Sequence, residues 1–321
     1  MDNLSRRSLL AGTGAILAAG AAGTPAVARS FGLPATRRFA LAGPGGELFR
    51  GKPLADVTVM QSIAFDSPNR RLFTGQLRSG RPGSTGDLTL TRLSLAGDVL
   101  GHMYLTGFGH AVSIGAETVG RTTYLWTETD VDTANGRGRQ IARFRWRDGA
   151  TLTKDSPGLR KWKPVAAGSV FTPSVDQQHG RLGVRYSMPD GMHLNVYSLS
   201  AARAGDFSAP LVSFKQPTVT AGIDFQGWAL HGSYAYFWEG EAHAGVFDPA
   251  LVTSKLWCFD MNNGQVVESA RVLDGPDLTH REAEGLAVHV GPRGQAQLCF
   301  GFASGVTGDR RANLFYRNTL V

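Results

Sequence analysis

Polar side chains that can hydrogen-bond or titrate recur at nearly regular intervals along this chain of 321 residues. They open short segments that share one pattern, at spacings of 49, 61, 55 and 58 residues. The segments are QSIAFD from Gln61, HAVSIG from His110, FTPSVD from Phe171, QGWALH from Gln226 and EGLAVH from Glu284. Two amides, an imidazole and a carboxylate beside an aromatic ring suit the hydroxyls of a sugar or polyol, provided that the fold brings them together.

Three glutamates offer a second kind of chemistry. Hydrolysis of a glycosidic bond needs two carboxyl groups at a defined separation, one as acid and one as nucleophile or base. Glu128, Glu239 and Glu284 supply enough carboxylates, and the same oxygens could hold a hard cation such as calcium. No spacing pairs them, and the GxSxG, HExxH and GxxxxGK[ST] motifs are absent. The sequence therefore leaves enzymatic activity open, assigns no catalytic residue or cofactor, and predicts no metal site.

The repeated segments have the alternation of a buried β-strand. Their second and fourth positions are small while the third and fifth are apolar, so opposite faces carry small and large side chains. A polar turn such as DSPNR, DQQHG or VGPRG comes next in several repeats, and further strand-like stretches joined by Gly, Asn and Asp turns follow. Internal similarity at this period predicts an all-β, single-domain, five-bladed β-propeller.

Closure of such a ring needs a strand from one terminus to complete the blade at the other. The stretch 37–49, RRFALAGPGGELF, resembles the later stretch TRLSLAGDVLGHMYL and stands apart from a full repeat. We expect this N-terminal strand to complete the blade that begins at Glu284. The competing architecture, two small β-sandwiches, should show a linker in mid-chain, but the stretches richest in Pro, Gly and Ser lie inside repeats.

A propeller places the first residue of each inner strand at the mouth of an axial tunnel. The second, antiparallel strand of each blade ends at the same mouth. Two tryptophans there are expected to stack on sugar rings, and two arginines to contact phosphates. The alternative is a structural role, in which tunnel residues hold trapped water and Glu284 forms an ion pair with Arg281. The predicted ligand-binding residues are Gln61, His110, Gln226, Glu284, Glu128, Arg185, Glu239, Arg281, Trp126 and Trp238.

The first 28 residues have the layout of an export signal. Paired Arg6 and Arg7 precede an apolar stretch rich in Ala and Gly, residues 9–22, which is too short to span a bilayer. The small residues AVA at 26–28 suit cleavage. We expect export by the twin-arginine route, a mature propeller over residues 29–321 without a membrane span, and a location outside the cell or in the cell wall.

The charge pattern argues against nucleic acid as the partner. The chain carries 33 Lys and Arg against 26 Asp and Glu, a formal net charge of +7, but the basic residues are scattered rather than gathered in runs. An exported basic protein meets anionic wall polymers, and long-range attraction favours that encounter. The two cysteines, Cys258 and Cys299, lack metal-ligand spacing, and the sequence leaves open whether they form a disulfide or stay as buried thiols.

Several segments taken together resemble a known family. TVMQSIAFD, GHMYLTGFGHAVSIG, FQGWAL, REAEGLAV and LCFGFASG, within residues 37–321, are similar to the TagC-like β-propeller family. That family includes teichoic acid biosynthesis protein C, exported actinobacterial proteins labelled phage baseplate proteins, and receptor-binding proteins of some staphylococcal phages. The resemblance implies a five-bladed propeller and recognition of cell-wall glycopolymers such as teichoic acid. It brings no catalytic residues, and a shared fold alone does not determine function.

The resulting hypothesis is an exported, monomeric propeller that binds a cell-wall polysaccharide or teichoic-acid-like polymer at its axial mouth. Two alternatives stay open. The chain could be a hydrolase, either a glycosidase or a phosphodiesterase, that acts on the same polymers. It could also be a protein-interaction scaffold that binds its partner through the sides of the propeller.

Overall fold

Five β-sheets, each built on four antiparallel strands, form the blades of one propeller. The computed structural model describes residues 32–243 and 245–321. The export signal expected over residues 1–28 lies outside the described residues. The all-β, five-bladed architecture predicted from the repeats is confirmed.

The strands follow one another along the chain, blade by blade, after a first strand β1 (Gly45–Pro53). Blade 1 contains β2 (Met60–Asp66), β3 (Arg71–Leu77), β4 (Leu88–Leu93) and β5 (Val99–Thr106), with a 3-10 turn at Gly83–Thr85. Blade 2 begins with β6 (Gly115–Val119), β7 (Thr122–Asp132) and β8 (Arg137–Arg145). The short β9 (Thr151–Thr153) then pairs in parallel with β5, and β10 (Arg160–Trp162) completes blade 2.

The remaining blades have the same antiparallel order. Blade 3 contains β11 (Ser169–Asp176), β12 (Arg181–Met188), β13 (Gly191–Ser198) and β14 (Val212–Lys215), with helix α1 (Leu199–Ala204) before its last strand. Blade 4 contains β15 (Phe225–His231), β16 (Tyr234–Glu239), β17 (Lys255–Asp260) and β18 (Gln265–Arg271). Blade 5 contains β19 (Glu282–Val290), β20 (Ala296–Val306) and β21 (Asp309–Arg317).

β1 closes the ring, as the stretch before the first repeat predicted. It pairs antiparallel with β21, with Gly45 opposite Arg317, and so becomes the outer strand of blade 5. The strand begins eight residues later than the predicted stretch 37–49. It takes the fourth position in the blade, because the C-terminal strand β21 already occupies the third.

The hydrophobic core lies in five buried clusters, one between each pair of neighbouring blades. Aromatic rings of one blade pack against the next. The ring of Phe73 lies 5.1 Å from that of Trp146, and the ring of Trp238 lies 5.2 Å from that of Phe300, measured between centroids. Burial of one such side chain contributes about 1.5–3 kcal/mol. Each blade is therefore stabilised on both faces once the ring is closed.

Small residues in the inner strands let the backbones meet at the axis. A Cβ atom added at Gly285 would lie 2.9 Å from the Ile63 nitrogen, and one added at Gly227 would lie 3.0 Å from the Leu286 nitrogen. Backbone contact this close leaves no room for a side chain. The expectation of an open axial tunnel is corrected here, because β2, β15 and β19 touch at the level of these glycines.

Polar turns after the inner strands tie neighbouring blades together. Asp66, at the end of β2, accepts a hydrogen bond of 2.6 Å from the Thr118 hydroxyl of blade 2. Asp176, at the end of β11, accepts one of 2.9 Å from the Gly232 N–H of blade 4. Both carboxylates are buried, so water does not compete strongly for these bonds. The ends of the inner strands are thereby fixed relative to one another.

The two cysteines are buried free thiols, so the disulfide that the sequence left open does not form. Burial raises the pKa of Cys258 to about 12, which keeps this thiol protonated. None of the helices in the described part of the chain is long and apolar enough to cross a membrane.

Candidate functional site

The starts of the inner strands contain Gln61 and Glu284 in direct contact, but in a buried layer. Gln61 Nε2 donates a hydrogen bond of 3.2 Å to Glu284 Oε1 between blades 1 and 5. Glu284 is 2% exposed, and its Oε2 has no partner among the described residues. Burial raises the pKa of this carboxyl well above its ordinary value, and the charges of Glu282 and Asp224 act in the same direction. Glu284 therefore keeps its proton to a much higher pH than an exposed glutamate does.

Glu128 and His110 also lie together, as predicted, but the carboxylate is occupied by backbone donors. Glu128 Oε1 accepts hydrogen bonds from the N–H groups of His110 at 3.1 Å and Ala111 at 2.8 Å, and Oε2 accepts one from Gly138. These bonds hold Ala111 at a φ of 57°, a left-handed conformation that is unfavourable for alanine. Burial lowers the pKa of His110, and the positive charge of Arg137 lowers it further.

Gln226 and Glu239 are likewise buried and bonded to nearby backbone or loop groups. Gln226 Nε2 donates to the Gly240 carbonyl at 3.1 Å. Glu239 accepts hydrogen bonds from the hydroxyl and the N–H of Thr220, at 2.5 and 3.3 Å. Glu239 thus holds the loop that leads into blade 4, and Gln226 holds the connection between β16 and β17.

The two arginines predicted to contact phosphates are held inside the protein. Arg185 Nε donates to Gln216 Oε1 at 2.7 Å, and its guanidinium lies 3.8 Å from the centre of the Phe225 ring. Burial lowers the pKa of Arg185 to about 9. Arg281 is 1% exposed and donates to the Val272 carbonyl at 2.8 Å. The alternative interpretation, an ion pair between Arg281 and Glu284, does not hold, since Arg281 donates to backbone carbonyls instead.

The two tryptophans expected to stack on sugar rings belong to the core. Trp126 and Trp238 are both 0% exposed. Their indole N–H groups donate to Glu117 Oε2 at 2.7 Å and to the Gly301 carbonyl at 3.2 Å. Their predicted role is therefore corrected to packing between blades. Nine of the ten predicted residues are buried and His110 is half-buried, so this end of the axis is a polar layer rather than an open mouth.

A cavity of about 740 Å³ opens at the other end of the axis, where the inner strands end. We call this cavity the axial cleft. Its walls come from the turns after β2 and β11, the end of β15, and the end of β19 with the turn that follows. Apolar and polar side chains alternate around it, including Phe65, Arg70, Asp176, Gln178, Leu230 and Val288. A concave surface of mixed polarity suits an extended ligand that carries hydroxyls and charges.

The repeat pattern does not identify the residues of the axial cleft, because the turns after the inner strands have the composition of ordinary connections. A signal was present in the sequence, since the polar turns DSPNR and DQQHG follow the repeated segments in blades 1 and 3. Arg70 and Gln178 stand in or beside these turns, and both are exposed. Alternation along a strand identifies the face that meets the axis, but it does not indicate which end of the axis is open.

One group of possible metal ligands lies beside the axial cleft. Asp176, His179 and His231 each offer an atom within 4.8 Å of the other two, a carboxylate and two imidazoles of the type that zinc prefers. The Asp176 carboxylate already accepts hydrogen bonds from His179 Nδ1 at 2.8 Å and from the Gly232 N–H at 2.9 Å. Arg181 donates to the Gly232 carbonyl in the same place, which adds a positive charge. These contacts account for the group as a link between blades 3 and 4.

Comparison with known proteins agrees with the propeller architecture. Residues 59–316 match the model of a family described as the phage 5-bladed beta propeller receptor binding platform domain. The chain is also 29% identical over 281 residues to "Putative major teichoic acid biosynthesis protein C" of Bacillus subtilis (strain 168). That similarity covers 84% of this chain and 61% of the relative.

A solved phage protein has the same fold. The tail fiber of Staphylococcus aureus phage P68 has a TM-score of 0.69 at 18% identity, over 88% of this chain and 52% of the fiber chain. A GH43_1 enzyme from Xanthomonas citri complexed with xylose has a TM-score of 0.46 at 13% identity, over 84% of this chain and 92% of the enzyme, too distant to bear on chemistry. This chain thus spans about half of the length of the phage fiber chain and about three-fifths of the length of the Bacillus relative.

The family model covers most of the chain and describes the five blades found here. The chain therefore belongs to the phage 5-bladed beta propeller receptor binding platform domain family.

Proposed function

We propose that this propeller binds a cell-wall polysaccharide or teichoic-acid-like polymer, and that the polymer lies in the axial cleft. The observation that carries this proposal is the cleft itself, a cavity of about 740 Å³ with exposed polar groups beside apolar walls. The family description names a receptor-binding platform, and the name of the Bacillus relative refers to teichoic acid biosynthesis. Both names are consistent with a ligand on a cell surface.

The axial cleft is a better candidate for the ligand site than the starts of the inner strands, because a ligand can reach it from solvent. A ligand can reach Arg70 and Gln178, which are exposed, without any change in the fold. Contact with Gln61, Gln226 or Glu284 would first require these buried groups to separate from their present neighbours. A guanidinium and an amide can donate several hydrogen bonds to hydroxyl or phosphate oxygens, while the ring of Phe65 offers an apolar surface.

Co-sedimentation with purified cell walls tests the proposal. The wild-type chain is expected to pellet with intact walls and to stay largely in solution after teichoic acid has been extracted from them. The double variant Arg70→Ala/Gln178→Ala removes two exposed groups of the cleft and is expected to weaken wall binding at least about tenfold, the loss of roughly 1.4 kcal/mol or more.

A matched control removes the same residue types from another exposed surface. Gln265 and Arg271 are exposed on β18, the outer strand of blade 4. The variant Gln265→Ala/Arg271→Ala is expected to bind walls like the wild type. Equal pelleting before and after extraction would refute the polymer as ligand. Equal binding by the cleft variant and the control would refute the cleft as its site.

We further propose that the chain is exported by the twin-arginine route and is a monomer in solution. The support for export is the Arg6–Arg7 pair and the apolar stretch that follows it. Export predicts a secreted form whose first residue, determined by mass spectrometry, lies near Arg29, and whose secretion is lost in Arg6→Lys/Arg7→Lys. Light scattering of the secreted form is expected to give the mass of one chain.

A further inference from the structure

A basic groove lies between blades 1 and 2. We call it the basic groove and define it by its arginines, Arg71, Arg92, Arg121 and Arg145. Its volume is about 240 Å³. Asp148 is the one carboxylate among the residues that line it, and it already accepts a hydrogen bond of 2.8 Å from the His102 N–H. The lining therefore carries a clear excess of positive charge.

The antiparallel order of the blades brings these arginines together. Arg71 begins β3 and Arg92 stands near the end of β4, which runs in the opposite direction. Arg121 is in the turn between β6 and β7, and Arg145 ends β8. These positions all belong to the face on which the inner strands end, which is the face of the axial cleft. Arg70 lines the axial cleft and Arg71 lines the basic groove, so the cleft and the groove are adjacent.

Most of this positive charge has no carboxylate partner. Arg71 Nη1 lies 3.8 Å from Asp66 Oδ2, whereas Arg92, Arg121 and Arg145 form no ion pair within the described part of the chain. Four guanidinium groups around a groove of this size repel one another, and a bound anion would offset that repulsion. The groove therefore has the electrostatics of an anion site.

Two buried donors in the groove point to the same conclusion. Arg92 Nε and Trp146 Nε1 have no hydrogen-bond partner among the described residues, although both atoms are buried. Both residues line the groove. A buried N–H without an acceptor is unfavourable, so such groups are usually satisfied by a bound molecule or water. An oxyanion offers several acceptor oxygens at once, and planar guanidinium groups match its geometry.

We infer that the basic groove binds phosphate groups of the polymer whose neighbouring unit occupies the axial cleft. The inference deepens the proposed function and rests on it for the source of the phosphate. A polymer that runs from the axis outwards between blades 1 and 2 would meet Arg70 first, then Arg71 and the exposed pair Arg121 and Arg145. The cleft and the groove together then select a chain in which hydroxyl-bearing units alternate with phosphates.

Calorimetric titration with tripolyphosphate tests the phosphate site without the polymer. The variant Arg121→Ala/Arg145→Ala removes two exposed side chains and leaves the core intact. Its control, Arg37→Ala/Arg271→Ala, removes the same net charge from exposed positions outside the groove. We expect at least a tenfold loss of tripolyphosphate affinity in the groove variant and less than a twofold loss in the control. Equal losses in the two variants would show general charge attraction and overturn the inference.

Binding to three further ligands identifies which kind of molecule brings the phosphate to the groove. Groove-dependent binding is expected for walls that retain teichoic acid, and much weaker binding for polygalacturonate or for phosphatidylglycerol vesicles. Polygalacturonate bound as tightly as tripolyphosphate would overturn the phosphate assignment, and vesicles bound more tightly than walls would overturn the polymer as carrier. If wild type binds tripolyphosphate through the groove but ignores walls, the proposed function fails while the phosphate site is supported.

Discussion

Burial decides what the candidate glutamates can do. Glu128 accepts backbone N–H bonds, Glu239 accepts bonds from a threonine in a loop, and Glu284 is a buried acid beside Gln61. A hydrolase would need two of these carboxyl groups at the surface of a substrate site. Their observed contacts instead stabilise the starts of inner strands and the loops around them. On the opposite face, by contrast, Arg70 and Gln178 are exposed.

The protonation of Glu284 makes stability depend on pH. Its native pKa is raised by burial, so above the unfolded-state pKa the native state holds a proton that the unfolded state has released. Stability therefore falls as pH rises from the unfolded pKa, near 4.3, to the raised native value. Glu284→Gln has no proton to lose and keeps an acceptor for Gln61. We expect it to be more stable than wild type at pH 8, with a difference that shrinks towards pH 4.

Urea unfolding at several pH values measures this effect. Glu241→Gln is the matched control, because it makes the same substitution at an exposed glutamate. A Glu284→Gln variant whose stability follows the wild-type curve at every pH would show that the buried carboxyl is not protonated in the native state.

At the scale of elements, the contact between inner strands is the feature that closes the axis. Gly285 has a φ of 72°, and a Cβ atom added there would lie 2.9 Å from the Ile63 nitrogen, so Gly285→Ala meets both strain and a steric clash. Gly294 has a φ of 80° but open space around it, so Gly294→Ala isolates the conformational cost alone. We expect the control to lose about 1 kcal/mol of unfolding free energy and Gly285→Ala at least about 3 kcal/mol. Equal losses, measured by urea unfolding, would contradict the close contact.

The turns after the inner strands have a second role besides reversing the chain. Asp66 and Asp176, at the start of these turns, are buried and bind to the neighbouring blades through hydrogen bonds. Arg70 and Gln178, later in the same turns, are exposed to solvent. The buried residue supplies rigidity, and the exposed one is available for the ligand contacts that we propose. A binding surface on such turns is preorganised, which lowers the entropy cost of holding a ligand.

At the scale of the whole molecule, stability depends on ring closure by β1. Deletion of residues 1–53 removes β1 together with the buried side chains of Leu33, Phe39, Leu41 and Phe49, and leaves β21 as an open edge. Four lost side chains at about 1.5–3 kcal/mol each amount to roughly 6 kcal/mol or more, so we expect the melting temperature to fall by about 10 °C or more. Deletion of residues 1–31 keeps every described strand and is expected to melt like the full chain. Calorimetry that finds the two deletions equally stable would refute this role of β1.

The charge of the molecule acts on association rather than on the fold. The formal net charge of +7 attracts anionic polymers at long range, whereas the basic groove places four arginines where a phosphate can be held. Composition alone suggested only the attraction. The groove appears only when the strand ends of two blades are placed side by side.

Sequence alone determined the repeat, the number of blades and the closure by an N-terminal strand, because each follows from periodicity and side-chain alternation along the chain. The resemblance to a propeller family rests instead on particular segments of the sequence. The repeat also placed Gln61 near Glu284 and His110 near Glu128, since the inner strands begin, and the strands paired with them end, at the same end of the axis. Tertiary structure alone decided which end of the axis is open and which side chains are buried. Backbone approach at Gly285 closes the axis, and contacts from neighbouring blades bury the tryptophans. These outcomes depend on distances between segments about 50 residues or more apart, which no local pattern encodes.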